Sequence, residues 1–169
     1  EAVLLTPSQA PPTPAPTLSY QPLFEPAPCE FPVPSGYNPE CGYLVVPENR
    51  TRPDTPFIRL HVGTFRNRSG IPSPDPVVML SGGPGTSGLN LTGYLFSRGL
   101  DAVLEQRDLI IFDQRGVGYS RPRLDCFERQ DVTSLLLRGR LTAEESKQAI
   151  VDAFRRCRER LIVAGIDLS

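Results

Sequence analysis

One stretch of this chain limits its fold more than any other. An apolar run, Val77-Val78-Met79-Leu80, is followed by the loop Ser81-Gly82-Gly83-Pro84-Gly85-Thr86-Ser87-Gly88, by a helix-like segment, and by a second apolar run, Leu109-Ile110-Ile111-Phe112. Continuous apolar runs of strand length read as buried strands. Strands that interleave with helices define the α/β class. A loop this rich in glycine, set between a strand and a helix, presents backbone N–H groups to a negative charge. That charge is either a phosphate or the oxyanion of an acyl-transfer transition state.

With 169 residues the chain is long enough for one domain with a real core. A net charge of −1 gives no electrostatic reason to expect a nucleic-acid partner. The arginines of Arg155-Arg156-Cys157-Arg158-Glu159-Arg160 fall around a predicted helix and read as its solvated face. No apolar run approaches the ~18 residues of a membrane span, so no transmembrane segment is expected. Eleven of the 19 prolines lie in the first 40 residues. Residues 1–26 are therefore read as an extended, solvated, disordered tether, of a kind that commonly follows an export signal or lipid anchor.

The four cysteines are Cys29, Cys41, Cys126 and Cys157. An even count without C-x-x-C spacing, beside a single histidine, argues against zinc, and no metal is expected. Pairing Cys29 with Cys41 and Cys126 with Cys157 is the simplest of three arrangements, each bridge contributing roughly 3 kcal/mol. Disulfides persist outside the cytosol, so the chain is expected to be secreted or associated with the cell envelope.

Predicted strands cover residues 42–49, 56–66, 77–81 and 108–113. In the second of them Ile58, Leu60 and Val62 alternate with Arg59 and His61, the period of a half-buried strand. Leu91, Leu95, Leu100, Val103 and Leu104 suggest a loosely patterned helix from Leu89 to about Gln106. Thr142 and Glu145 have the spacing of a capping box. Behind it Ala149, Ile150, Ala153, Phe154, Cys157 and Leu161 form one apolar face, and Gly165 is placed to end that helix.

Of the nucleotide readings of the glycine loop, the P-loop fails and the dinucleotide site is disfavoured. A P-loop needs Lys-Ser/Thr after its last glycine, where this chain has Leu89-Asn90. Gly83, Gly85 and Gly88 have G-x-G-x-x-G spacing, and Asp113 could stand for a ribose-binding acid. Against that, the loop follows a third predicted strand rather than the first, and Pro84 removes an N–H. An exported, disulfide-bonded domain also seldom meets a nicotinamide cofactor. No cofactor is expected.

"LSGGPGTSG" and "FDQRGVGYS" together resemble the α/β-hydrolase superfamily, specifically its prolyl and tripeptidyl aminopeptidase branch. "PCEFPVPSGYNPECGYLVVPENR" and "CRERLIVAGIDLS" are similar to its exported members, and the resemblance covers residues 27–169. It implies that the loop after the third predicted strand supplies one donor of an oxyanion hole. Pro84 cannot donate, so Gly83 is the first choice, flanked by Gly82 and Gly85. The Asp113-Gln114-Arg115-Gly116 segment supports the loop, with Asp113 and Arg115 bracing it through hydrogen bonds. Ser81 stands where many relatives carry histidine.

A hydrolase of this kind also needs a G-x-S-x-G elbow, an acid and a late histidine. None is present. His61 lies too early in the chain and reads as a satisfied strand histidine, and Ser87 and Ser120 read as turn residues. The expectation is an N-terminal portion of an α/β-hydrolase sheet, its first four strands and flanking helices, truncated before the elbow. The triad would lie beyond Ser169, so the chain alone is expected to be inactive. By resemblance, the complete enzyme would cleave peptides near their N-terminus, and its C-terminal part would be this chain's partner. Two other readings remain: a non-catalytic exported module pairing through an open sheet edge, and a dinucleotide-binding domain.

Overall fold

The computed structural model describes residues 20–52, 54–71, 73–139 and 141–168. Residues 1–19, with most of the expected tether, lie outside that range. Five strands form one sheet: β1 (Leu23–Pro26), β2 (Glu40–Pro47), β3 (Phe57–Phe65), β4 (Val77–Met79) and β5 (Leu109–Phe112). Their spatial order is β1-β2-β3-β5-β4. The pairs β1–β2, β2–β3 and β3–β5 are antiparallel, and β4 runs parallel to β5. A parallel pair cannot be joined by a hairpin. The crossover from β4 to β5 carries α1 (Thr92–Ser97) and a 3₁₀ helix (Leu100–Glu105). Two further helices, α2 (Glu128–Leu137) and α3 (Ala143–Val163), follow the sheet.

The core lies on the sheet face that this crossover covers. Phe31, Cys41, Phe65, Leu89, Phe96, Leu104, Leu109 and Ile111 pack together there. Full burial of Leu109 and Ile111 stabilises the fold by about 2 kcal/mol for each side chain. Tyr37 and Phe65 meet Phe96 edge-on, at centroid distances of 4.7 and 4.9 Å. The opposite sheet face carries Leu44, Val46, Leu60, Val62, Ile110 and Phe112, which line a shallow apolar groove of about 580 Å³. The main packing partner of α2 is α3, and the Cys126–Cys157 disulfide joins the two helices. No helix of the described residues is long and apolar enough to cross a membrane.

Several elements depart from the sequence reading. Strand β1 occupies Leu23–Pro26, inside the expected tether. It sits at the sheet edge, where Pro26 closes the strand without interrupting a central ladder. The sheet therefore has five strands among the described residues, not four. The single helix expected over 89–106 is two pieces, because Gly99 adopts φ +93° between them. Strand β4 is shorter than 77–81 and is an edge strand. Val78 is 52% and Leu80 61% exposed on the uncovered face, so the run is buried on one side only. In β3 the polar phase breaks down at His61, which is fully buried because Phe31, Tyr43 and Tyr119 stack around it.

Helix α3 begins with the capping box of Thr142 and Glu145, and Gly165 follows its last turn at φ +79°. Ala153, Cys157 and Leu161 form its buried stripe. Phe154 is exposed, with the Arg129 guanidinium 6.0 Å from its ring centroid.

Candidate oxyanion loop and its buried carboxylate

The glycine loop leaves the carboxyl end of β4. Gly83 and Gly85 adopt φ of +65° and +89°, a backbone region that side-chain-bearing residues avoid. The turn closes through Thr86, whose N–H and hydroxyl both donate to the Gly83 carbonyl, at 3.2 and 2.8 Å. Gly82, Gly83 and Gly85 are exposed. Among the described residues no hydrogen bond uses their N–H groups, and a Cβ at Gly82 or Gly85 would meet nothing within 4 Å. The three N–H groups are thus unengaged in an exposed turn.

What holds the loop is a buried carboxylate. Asp113, 1% exposed at the end of β5, accepts the Ser87 hydroxyl at 2.8 Å. It also accepts the N–H groups of Leu89 at 3.2 Å and Tyr119 at 2.9 Å. Three donors, two of them backbone, meet the need of a charge removed from water. Ser87 Oγ in turn accepts the Asn90 N–H at 3.0 Å, and the Tyr119 hydroxyl donates to Asn90 Oδ1 at 2.6 Å. Asp113 therefore ties the end of the glycine loop to the 114–120 loop. Only glycine is accommodated at 118, since a Cβ there would lie 2.0 Å from Asp113 Oδ2.

The Asp113 main chain is held as well. Its N–H donates to the His61 carbonyl at 3.0 Å, and its carbonyl accepts the Ser120 hydroxyl at 2.7 Å. Ser120 Oγ accepts the His61 N–H at 3.0 Å. Ser87 and Ser120 are thus committed to Asp113, and neither hydroxyl is hydrogen-bonded to the histidine ring. The His61 ring is apart from this arrangement. Its Nε2 accepts the Glu30 N–H at 3.3 Å, while its Nδ1 is buried without a partner. The histidine read as satisfied is satisfied at one nitrogen. Burial pushes its pKa below the ordinary 6.5, against the opposing pull of Glu30 and Asp113.

The other expected support residues act elsewhere. Arg115 donates from Nη1 to the Glu48 carbonyl at 3.2 Å and from Nη2 to the Asp167 carbonyl at 2.6 Å. It fastens the segment after α3 to the end of β2, helped by an Arg52–Asp167 ion pair at 3.1 Å. The Gln114 carbonyl accepts the Val117 N–H at 3.0 Å, and its side chain is exposed. Gly116 adopts φ +76°, and a Cβ there would fall 2.5 Å from Leu124.

The cysteines pair as Cys29–Cys41 and Cys126–Cys157, with Cα separations of 5.2 and 5.3 Å. Cys126, Cys157 and Glu128 are close enough to suggest a metal site, but both sulfurs are spent in the disulfide. Tyr119, Gly118 and Asn90 went unread in the sequence. The only available signal was that Tyr119 follows Asp113 by six residues within a glycine-punctuated loop.

Comparison with known proteins identifies the family. The family described as alpha/beta hydrolase fold matches residues 75–163, from β4 through α3. The chain belongs to the α/β-hydrolase family. YuaR of Escherichia coli (strain K12) is 32% identical over 127 residues, which is 69% of this chain and 23% of that protein. Serine protease Hip1 of Mycobacterium tuberculosis (strain H37Rv) is 32% identical over 110 residues, 65% of this chain and 20% of the protease. The tripeptidyl aminopeptidase of Streptomyces coelicolor is 34% identical over 100 residues, 54% of this chain and 17% of that enzyme. The chain thus spans about a fifth of the length of the relatives it matches.

Proposed function

We propose that this chain is the N-terminal portion of an exported serine peptidase, to which it contributes half of an oxyanion hole. The observation that carries the reading is the glycine loop at the carboxyl end of β4, with its N–H groups unengaged and Asp113 fixing its far end. In the reaction, an acyl-enzyme forms when a serine attacks the scissile carbonyl, and the oxygen of that carbonyl becomes negative. The Gly83 N–H, with Gly82 and Gly85 beside it, meets that charge, a contribution of about 3 kcal/mol to the barrier. The nucleophile, acid and histidine come from the rest of the enzyme, as does the surface that selects a peptide N-terminus. The two disulfides and the similarity to Hip1 support an extracytoplasmic location.

The rest of the enzyme is the partner that this reading requires. The apolar face bearing Leu60, Ile110 and Phe112 and the open edge of β4 support it, because a sheet of this kind is covered on both faces.

A fluorophosphonate probe tests the proposal. The 169-residue chain is expected to remain unlabelled, and the complete protein to be labelled at one serine. Gly82→Pro in the complete protein, which removes one donor, is expected to lower kcat about 100-fold with little change in KM. Labelling of the 169-residue chain itself would overturn the assignment.

A second reading is favoured by one feature, the exposed Val78 and Leu80 beside the free edge of β4. A non-catalytic module could add a partner's strand there. Native mass discriminates. A stable monomer that captures an extended peptide supports the module, and self-association of the isolated chain supports the hydrolase portion.

A further inference from the structure

We infer that His61 is a proton-operated latch that holds the Glu30–Phe31 stretch, just after Cys29 of the Cys29–Cys41 bridge, against the sheet when neutral and frees it when charged. His61 is the only histidine in the chain and is fully buried in the middle of β3. Its Nε2 accepts the Glu30 N–H, so the imidazole proton resides on Nδ1, where it has no acceptor. Phe31 meets the ring edge-on from the same segment, Tyr43 faces it from β2, and Tyr119 from the loop after β5.

Protonation has nowhere to go in this arrangement. A proton on Nε2 sets two donors against each other at the Glu30 amide, and that bond is lost. The charged groups around the ring are Glu30, Asp113 and Arg121. Glu30 is committed to the Tyr43 hydroxyl and to Arg121, the latter at 2.8 Å. Asp113 is committed to Ser87, Leu89 and Tyr119. Neither carboxylate is free to receive a charged imidazole, and burial already disfavours the charge. The depressed pKa sets the sign. The latch's stability is complete above pH 6.5, falls as pH drops below that value, and stops falling once pH passes below the folded-state pKa. The far end of the segment stays anchored, because the Tyr37 hydroxyl donates to Asp101 at 2.8 Å. What moves is the stretch around Glu30 and Phe31, and with Phe31 one wall of the core.

Because there is one histidine, its ring nitrogens give unambiguous NMR signals in the full chain. At pH 7.5 the proton is expected on Nδ1. Between pH 7.5 and 5, exchange of the Glu30 amide, corrected for intrinsic rate, is expected to rise about tenfold. Over the same range the amides of β5 should stay protected. His61→Gln keeps a neutral acceptor and should hold Glu30 exchange flat with pH. A neutral ring protonated on Nε2 would overturn the latch. So would Glu30 exchange that is flat in the unmodified chain, that follows β5, or that rises equally in His61→Gln.

Discussion

Asp113 and Ser87 are 26 residues apart in the chain, and the serine hydroxyl lies 2.8 Å from both oxygens of the aspartate. That contact joins the end of β5 to the loop leaving β4, so the strand that comes later in the chain shapes the loop that comes earlier. The Ser87 hydroxyl is thereby occupied as a donor to a carboxylate rather than free as a nucleophile.

Asp113→Ala is expected to destabilise the chain by about 3 kcal/mol or more, because it strands the Ser87, Leu89 and Tyr119 donors in a buried place. Ser87→Ala removes the bond to a charged acceptor together with the one from the Asn90 N–H, and should cost about 2 kcal/mol. Urea unfolding of the two variants gives the ordering. Equal losses would show that Ser87 alone carries the aspartate.

Gly118→Ala places a methyl group 2.0 Å from Asp113 Oδ2 at a residue with φ +54°. Gly36, at φ +86°, has no atom within 4 Å of a built Cβ. Gly36→Ala therefore reports left-handed strain alone, about 1 kcal/mol. Gly118→Ala should exceed it by about 2 kcal/mol or more in thermal unfolding.

The disulfides should come apart selectively. In the chain-entropy account, the Cys29–Cys41 bridge, at separation 12, stabilises by about 3 kcal/mol, and the Cys126–Cys157 bridge, at separation 31, by about 4 kcal/mol. Replacing Cys126 and Cys157 by serine should raise amide exchange in α2 and α3 while leaving β3 and β5 protected, since these helices pack mainly on each other. Matching loss of protection in the sheet would contradict that separation.

Asp108 sets part of the acid limit. Its side chain accepts from the Asn67 side-chain amide at 2.9 Å, from the Asn67 N–H at 2.8 Å and from Arg66 at 2.7 Å. Led by the Asn67 side-chain bond, these hold its pKa at about 2. The stability it contributes is complete above the unfolded value of 3.8 and disappears as pH falls from 3.8 to about 2. Asp108→Asn should flatten acid unfolding monitored by circular dichroism across that window.

The parts of the fold legible beforehand are those with local causes. Thr142 and Glu145 are three residues apart and cap α3 through each other, so the start of that helix could be read off the sequence. Helix α2 could not. Phe127 makes no side-chain cap, and its apolar residues gather at Leu135, Leu136 and Leu137 rather than along one stripe. Strand β1 was hidden because Leu23–Pro26 has no strand pattern of its own, and β2 supplies its partner. The glycine loop was readable as a donor-rich turn from Gly82 to Gly85. The reach of Asp113 to Ser87 and that of Arg115 to Asp167 were not, since a hydrogen bond across 26 or 52 residues leaves no spacing in the sequence.

The position of β5 between β3 and β4 also fixes an order of assembly. The meander of β1, β2 and β3 can pair as soon as it leaves the ribosome, each strand lying against its predecessor. Strand β4 is made next and has no place to dock until thirty residues more have followed it, because among the described residues its only neighbouring strand is β5. During that interval its apolar residues and the glycines behind them belong to no structure. The Gly82–Gly85 turn is therefore among the last parts of the sheet to take shape, waiting on an aspartate not yet translated.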